Sequence, residues 1–346
     1  MKLFIYGLIL IVGILSVPAM AADQAVVFMY HRFGVPQYPS TNVTPEQFAA
    51  HLDYLDDNGF QVWPLPKIVS HLQTGKAIPE KTVAITVDDA YRSIYEVAYP
   101  MLKAHGFPFT VFVSTAAVDK GLADYLSWEQ MREMQQHGAS FANHTVNHPF
   151  LLKKKPGESK SEWLMRVRTE VVEAQARLQA ELGDDVNESP RLFAWPYGEY
   201  NTALAEVLDQ MGYVAFGQQS GVVSRYGNLR ALPRYPMAEA FADLDSFALK
   251  ANSHAMPVVK VDPWDPLAIN QANPPRLKIT LDKDIGRLSG LACYIAGERV
   301  IPEWIDEHQF VVSAASPLTD RRSRYNCTAP AGDGDYYWYS HLWIRK

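Results

Sequence analysis

The sequence predicts an α/β fold built on a mostly parallel sheet or barrel, followed by a small all-β region. Three observations predict it. Short apolar runs alternate with amphipathic segments from about residue 25, prolines crowd together after residue 250, and alternating runs without a convincing helix follow them. The length of 346 residues is typical of about two domains. With 48% hydrophobic and 20% charged residues, the chain is neither disordered nor collagen-like nor a coiled coil.

Seven apolar runs are the candidate strands of the first region, and helix signals separate them. The runs are Ala25–Tyr30, Gln61–Leu65, Thr82–Asp88, Phe109–Ser114, Ala139–His144, Arg191–Tyr197 and Val214–Gly217. Thr44, Pro45 and Gln47 have the order of an N-cap, a first-turn proline and a capping-box partner, and they predict a helix that ends at Gly59. Similar signals predict helices over 127–138, 161–182 and 201–212.

The second region begins after a proline-rich connection. Residues 22–255 are predicted to form the first domain, and residues 256–346 a small β domain that resembles a sandwich. Its candidate strands are Leu277–Leu281, Leu291–Ile295, Gln309–Ser313 and Tyr336–Ile344. Its many aromatic residues either form a glycan-binding strip or fill the small core.

The N-terminus has the pattern of a cleaved signal peptide. Lys2 precedes an apolar run from Leu3 to Val17, and Ala19 and Ala21 form an A-x-A site, which predicts cleavage after Ala21 and export to the periplasm or the medium. No later segment is long enough to span a bilayer. An oxidising compartment would allow Cys293 and Cys327 to pair, although two separate thiols remain the alternative. The net charge of −6 gives no reason to expect nucleic-acid binding.

Polar side chains collect where the candidate strands of the first region end. They are His31, the pair Asp88 and Asp89, the pair His144 and His148, and the turn Pro196-Tyr197-Gly198. Because functional groups of α/β folds gather at the carboxyl ends of strands, these clusters are expected to meet at one rim.

Two of these clusters suggest a metal site. His144 and His148 precede a proline, so they are predicted to lie in a loop and could present two imidazoles to one ion. Adjacent residues of an extended chain point to opposite sides, so one aspartate could ligate the ion while the other acts as a base. A histidine pair on the surface and a helix-capping aspartate are the alternatives.

Three motifs in order resemble the polysaccharide deacetylases of the NodB-homology type, carbohydrate esterase family 4. They are Thr86-Val87-Asp88-Asp89-Ala90, His144-Thr145-Val146-Asn147-His148, and Arg191 through Pro196-Tyr197-Gly198. The stretch Met29-Tyr30-His31-Arg32-Phe33 is similar to the branch that deacetylates poly-N-acetylglucosamine. The resemblance covers about residues 25 to 250 and implies a distorted (β/α)7 barrel, which agrees with the seven runs.

The resemblance also implies roles for individual residues. Asp89, His144 and His148 would hold a divalent metal, most often zinc, and Asp88 would be the base. Arg191 would pair with Asp88, and the backbone N–H of Tyr197 would stabilise the oxyanion. His31 would protonate the leaving amine, with His254 as its rival. Trp195 is either a wall of the sugar pocket or a core residue, and Pro196 and Arg234 are the other candidates for substrate contacts.

Two features depart from the family pattern. Ala90 stands where a glycine is usual, which predicts an altered turn at Asp89, and the fourth motif of the family is not evident, with Arg234 as the nearest polar candidate. The expected activity is removal of N-acetyl groups from an N-acetylhexosamine polymer outside the cytoplasm, in contact with export or biofilm machinery. An O-acetyl polysaccharide esterase and a catalytically weak glycan-binding barrel are the alternatives.

Overall fold

The computed structural model describes residues 23–187 and 190–346, and the predicted signal peptide lies outside them. In these two ranges, every helix is too short or too polar to cross a membrane. The strands up to residue 255 are β1 (Gln24–Tyr30), β2 (Arg32–Phe33), β3 (Asn42–Val43), β4 (Gln61–Val62), β5 (Thr82–Asp88), β6 (Phe109–Val113), β7 (Ala139–Asn143), β8 (Arg191–Ala194), β9 (Tyr213–Phe216), β10 (Val223–Ser224), β11 (Tyr235–Pro236) and β12 (His254–Ala255).

A curled, mostly parallel sheet forms the centre of the first region, with β10 antiparallel to β1. Its order is β10-β1-β5-β6-β7-β8-β9, with β4 beside β5 and β11 beside β1. All seven predicted runs are strands of this sheet, although the run predicted over 61–65 is strand only at Gln61–Val62, since a helix begins at Leu65. The fold is the distorted barrel of the NodB type that the sequence predicted.

The strand register aligns the polar clusters at one edge. Tyr30 of β1 pairs with Val87 of β5, so the residues that follow, His31 and Asp88, are neighbours. Val113 of β6 pairs with Asn143 of β7, which brings the loop that begins at His144 to the same edge. The predicted convergence of these three clusters is therefore confirmed.

Helices cover the sheet, and their ends follow the local sequence signals. They are α1 (Pro45–Asp57), α2 (Leu65–Thr74), α3 (Tyr99–His105), α4 (Thr115–Asp119), α5 (Trp128–Gln135), α6 (Lys160–Leu182), α7 (Thr202–Gln210) and α8 (Leu244–Ala251). At the start of α1, Thr44 accepts from the Gln47 N–H and the Gln47 side chain accepts from the Thr44 N–H. This is the predicted capping box.

A short segment after β9 closes the gap between the two ends of the curled sheet. The Leu232 N–H donates to the Ala215 carbonyl, and the Gly217 N–H donates to the Leu232 carbonyl. A few residues later, β11 pairs with β1. Arg234 lies between these two attachments, and its position follows from this closure.

The C-terminal region consists of two sheets whose strands are antiparallel except for β12, which pairs parallel with β20. They contain β13 (Val258–Asp262), β14 (Leu277–Leu281), β15 (Ala292–Ile295), β16 (Glu298–Val300), β17 (Glu303–Trp304), β18 (Gln309–Val312), β19 (Arg322–Gly332) and β20 (Asp335–Ile344). One sheet has the order β12-β20-β19-β15-β16 and the other β13-β14-β18-β17. The all-β prediction is confirmed, but the sequence patterns missed β19, an 11-residue strand.

Of the two alternatives for the cysteines, a disulfide or two separate thiols, the structure shows the disulfide. Cys293 of β15 and Cys327 of β19 face each other in register and are bonded. Both are fully buried in a core that residues Met256 to Trp343 form among themselves. This core is separate from the three clusters of the barrel region.

Strand β20 joins the two regions through its alternating faces. Tyr337, Tyr339 and Trp343 pack on the C-terminal core, whereas Leu342 and Ile344 pack on a barrel cluster that includes Trp195. Trp338 packs against the main barrel core. Trp343 is therefore a core residue, whereas Tyr337, Trp338 and Tyr339 pack on the cores and stay partly exposed, and Tyr336 is exposed.

The buried His51 predicts an acid-sensitive contribution to folding stability. Its Nε2–H donates to the Ala242 carbonyl, its Nδ1 accepts from the Tyr30 hydroxyl, and its ring stacks on Phe247. Burial lowers the pKa of His51 to about 4. Because the unfolded chain, with a pKa of about 6.5, binds the proton more readily, the stabilisation is lost as the pH falls from about 6.5 to about 4, by about 3 kcal/mol.

Denaturant unfolding at several pH values checks this prediction. Between about pH 6.5 and 4, the free energy of unfolding of His51→Gln should fall less steeply than that of the wild type. Other buried histidines, such as His341, contribute equally to both proteins, so the difference isolates His51. Parallel curves would contradict the prediction.

Candidate active site

The paired aspartates lie at the carboxyl end of β5. Asp88 is its last residue and is completely buried, while Asp89 is slightly exposed. Asp89 and Ala90 both adopt positive φ angles, 75° and 59°. This left-handed turn is costly for a residue with a Cβ atom, so alanine occupies a conformation that glycine would adopt more readily. Whether the turn is altered relative to one with glycine stays a prediction, but Ala90 itself adopts the left-handed conformation.

Asp88 is held by a buried arginine. Arg234 donates from Nη1 and Nη2 to the two carboxylate oxygens, at 2.7 and 2.8 Å, and it also donates to Thr86 and to the Gly217 carbonyl. Burial by itself raises the pKa of Asp88, but Arg234 and the neighbouring imidazoles of His144 and His31 together outweigh it and the pKa is lowered. Asp88 is therefore a buried carboxylate that stays ionised at neutral pH.

The predicted pairing of Asp88 with Arg191 is wrong. Arg191 is the exposed first residue of β8, whereas Asp88 is the last residue of the parallel strand β5. The two residues therefore lie at opposite edges of the sheet. The interpretation of Arg234 as a substrate contact is also wrong, since its side chain is fully buried.

Asp89, His144 and His148 converge beside Asp88. The Asp89 Oδ1 lies 3.4 Å from Nε2 of each histidine, and one ligand atom from each residue lies within 4.8 Å of the others. Thr145 and His148 have positive φ angles, so the chain turns tightly and brings the second imidazole back towards the first. A two-histidine, one-carboxylate set of this kind suits a divalent ion and leaves coordination positions open.

The orientation of His144 supports this interpretation. Its Nδ1 lies 2.8 Å from the Ala194 carbonyl, which can only accept, so Nδ1 carries the proton and Nε2 presents a lone pair. That Nε2 is buried and, among residues 23–187 and 190–346, has no hydrogen-bond partner. A buried acceptor of this kind next to a carboxylate fits a metal ligand. Burial lowers the pKa of His148 to about 4, which keeps it neutral as a ligand must be. Burial by itself also lowers the pKa of His144, but the neighbouring Asp89 and Asp88 outweigh it and the pKa is raised, so a proton on Nε2 would compete with an ion for this position.

His31 is the histidine nearest the buried aspartate. Its Nε2 lies 4.0 Å from the Asp88 Oδ2, and burial lowers the pKa of His31 despite the two neighbouring carboxylates. The rival His254 lies elsewhere. It contacts Gln24, the first residue of β1, and so lies near the amino edge of the sheet.

The turn after β8 contributes Tyr197. Its φ is 59°, its ring lies 4.4 Å from that of His148, and it stacks at 4.0 Å on Phe150. Trp195 is completely buried and donates from its indole to the Arg230 carbonyl, so of the two alternatives for Trp195 the core one is correct. Pro196 is buried as well, which contradicts its prediction as a substrate contact.

The C-terminal β region reaches this turn. Glu199 is completely buried and accepts two hydrogen bonds from Arg321, at 2.9 and 2.7 Å. Arg322 donates to the Tyr197 carbonyl at 2.9 Å. The two regions are therefore joined at the site itself, through contacts that no motif of the sequence indicated.

A cleft opens at this edge of the sheet, with a volume of about 830 Å³. Its lining includes His31, Asp89, His148, Tyr197, Arg322 and Arg324. Asp88 lies beneath this surface, between Arg234 and His31. The cleft thus lies above a buried carboxylate and is bordered by His31 and by residues of a group that could hold a metal ion.

Comparisons with known proteins agree with this geometry. The profile of the family described as Polysaccharide deacetylase matches residues 75–216. YxkH, a candidate polysaccharide deacetylase of Bacillus subtilis (strain 168), is 31% identical over 210 residues, which cover 60% of this chain and 69% of YxkH. The poly-beta-1,6-N-acetyl-D-glucosamine N-deacetylase of Escherichia coli (strain K12) is 28% identical over 232 residues, or 57% of this chain. The match spans only 33% of that longer protein.

A solved structure supports the same relationship. The Streptococcus pyogenes deacetylase PplD, determined in complex with acetate, superimposes with a TM-score of 0.58 at 26% identity. The superposition covers 66% of this chain and 99% of PplD. The fold and the site define a hydrolase of carbon–nitrogen bonds other than peptide bonds. The chain belongs to the polysaccharide deacetylase family, carbohydrate esterase family 4.

Proposed function

We propose that the protein removes N-acetyl groups from N-acetylglucosamine-type residues of a polysaccharide outside the cytoplasm, with a divalent metal, most simply zinc, held by Asp89, His144 and His148. The observation that carries the proposal is the buried Asp88–Arg234 pair directly beside these three ligands. The names of two relatives, which describe poly-N-acetylglucosamine deacetylases in Escherichia coli and Staphylococcus aureus, support the choice of substrate.

The base is Asp88. Arg234 keeps it ionised and fixes both of its oxygens, so the carboxylate is ready to take a proton from the attacking water without first losing a hydration shell. A bound divalent ion would supply Lewis-acid activation of the acetamide carbonyl and of that water. The backbone N–H of Tyr197 is the proposed additional donor to the developing oxyanion.

The proton then has a short route to the leaving nitrogen. His31 has a lowered pKa and is neutral at rest, and its Nε2 lies 4.0 Å from the Asp88 Oδ2, so it can accept the proton that Asp88 has taken up once the two groups approach to hydrogen-bond distance. It would next donate that proton to the amine as the carbon–nitrogen bond breaks. In this proposal, Asp88 and His31 act as one relay.

Two observations support a location outside the cytoplasm. The disulfide between Cys293 and Cys327 suits an oxidising compartment. The predicted signal peptide, which lies outside the described residues, is consistent with the same location. A link to biofilm or export machinery would follow from the substrate and remains part of the proposal.

Acetate release from defined N-acetylglucosamine oligomers tests the function. Release should stop with a chelator, return with zinc, and fall by about 10³-fold in kcat in Asp88→Asn, because that amide cannot act as a base. Asp284→Asn, an exposed aspartate, is the matched control and should behave as wild type. Thermal unfolding and zinc titration of both variants show whether the fold and the metal site survive.

Each contrary outcome has a defined meaning. Zinc binding without acetate release from any N-acetylated oligomer would contradict N-deacetylation, and release from O-acetylated oligomers instead would identify an esterase. Release that the chelator leaves unchanged would contradict the metal ligands. Full activity of Asp88→Asn would remove Asp88 from the mechanism.

A further inference from the structure

Two arginines of the C-terminal β region form part of the cleft wall. Arg322 and Arg324 both line the cleft, and they lie two residues apart on β19. Because side chains at this spacing point to the same side of a strand, the two guanidinium groups belong to one surface. That surface faces the same opening as His31, Asp89 and Tyr197.

Arg322 and Arg324 both have guanidinium N–H groups without an acceptor in the described residues. Arg322 donates one bond to the Tyr197 carbonyl, and its Nε is 4.0 Å from a Glu199 oxygen. In the described part of the chain, Arg324 has no carboxylate within ion-pair distance, and its Nε is buried without a partner. Because Arg324 lines the cleft and has no carboxylate partner of its own in the described residues, its guanidinium group can donate to an acceptor on a ligand there.

The charge of the cleft differs from that of the whole chain. The chain has a net charge of −6. The cleft is lined by four cationic side chains and two carboxylates, namely Arg32, Lys120, Arg322, Arg324, Asp89 and Glu239. Since Asp89 belongs to the proposed metal site, a bound divalent ion would make the cleft more positive still. A positive cleft on an acidic protein favours an anionic ligand.

We propose that Arg322 and Arg324 bind a carboxylate of the polysaccharide, so that the substrate is an N-acetylhexosamine polymer whose neighbouring sugars carry carboxylates. This inference rests on the proposed function and narrows its substrate class. Two guanidinium groups side by side suit a carboxylate, because the planar fork donates two parallel hydrogen bonds to its two oxygens. The carboxylate belongs either to a uronic acid or to the lactyl group of a muramic acid.

Equilibrium binding of labelled oligosaccharides tests the proposal without depending on turnover. One arm uses a hyaluronan oligosaccharide, in which N-acetylglucosamine alternates with glucuronate, and the other a peptidoglycan strand fragment, in which it alternates with N-acetylmuramic acid. Each is compared with its carboxyl-reduced counterpart of equal length. In the zinc-loaded wild type, at least one acidic oligosaccharide should bind about tenfold more tightly than its reduced form, since the arginine contacts are charge-assisted.

Variants assign this preference to the two arginines. In Arg324→Gln, the ratio of the two dissociation constants should fall towards one, and the same is expected of Arg322→Gln. Arg299→Gln replaces an exposed arginine of β16 in the same region and should keep the wild-type ratio. The arm that shows the preference identifies the source of the carboxylate.

The results separate this inference from the proposed function. Equal binding of the acidic and reduced forms in both arms, or a preference that Arg324→Gln retains, would overturn the role of the arginines. Deacetylation of neutral N-acetylglucosamine oligomers, assayed in parallel, would still stand in that case. If the wild type instead prefers the carboxylate forms but deacetylates no oligomer, the proposed reaction is contradicted and the proposed binding site of Arg322 and Arg324 still stands.

Discussion

Replacing Arg234 with methionine should lower kcat by about 10³-fold and destabilise the fold by about 3–5 kcal/mol. The substitution leaves the buried Asp88 carboxylate without its cation, and desolvation then favours the protonated form. A protonated aspartate cannot act as a base. Arg234→Met should therefore have a lower free energy of unfolding than the wild type. The fraction of the variant that remains folded should also have a lower kcat.

The matched control is Arg191→Met. Arg191 is the arginine that the motif resemblance paired with Asp88, but it is exposed at the other edge of the sheet. Its substitution should change the free energy of unfolding by less than about 0.5 kcal/mol and leave kcat near the wild-type value. Arg234→Lys adds a second readout, because a lysine keeps the charge but cannot donate to both oxygens in a fork. Wild-type activity in Arg234→Met, or an equal loss in Arg191→Met, would contradict this account.

Loss of the metal should be the second large effect. His144→Ala removes the imidazole whose Nε2 is buried and aimed at Asp89, and zinc affinity should fall at least about 100-fold. Acetate release should fall with it and should not return at ordinary zinc concentrations. Isothermal titration with zinc measures the stoichiometry and affinity, with one equivalent expected for the wild type.

His254→Ala is the control for this experiment. His254 is half-exposed near the amino edge of the sheet, where it contacts Gln24 and Asp335. Its substitution should leave both zinc affinity and kcat unchanged. An unchanged kcat would also exclude His254 as the alternative to His31 for protonating the leaving amine. One equivalent of tightly bound zinc in His144→Ala would rule out the proposed ligand set.

Local sequence signals predicted most of the barrel. The runs at β1, β5 and β6 are almost entirely apolar or threonine because parallel strands are buried on both faces, and this makes them easy to find in a sequence. The capping box at Thr44 depends only on residues within one turn. The residues of the proposed metal site were also predictable, since they lie in loops that follow strands which the local pattern had already identified.

The errors concern contacts between distant parts of the chain. The partner of Asp88 lies 146 residues away in a segment without a helix or a long strand, and its position depends on how that segment closes the gap in the sheet. The sequence left open whether Trp195 is a core residue or a wall of the pocket. Its burial depends on β20, which packs against the barrel from the C-terminal β region. Strand β19 was missed because polar residues and a proline interrupt its alternation.

The sequence by itself determined the class of fold, the edge of the sheet at which the chemistry lies, and the set formed by Asp88, Asp89, His144 and His148. These features follow from strand periodicity and from residue types at strand ends, which are local properties. Only the tertiary structure decided that Arg234 rather than Arg191 holds the base, and that Arg322 and Arg324 enter the cleft. Those assignments depend on which buried charges meet, and that is set by the packing of segments far apart in the chain.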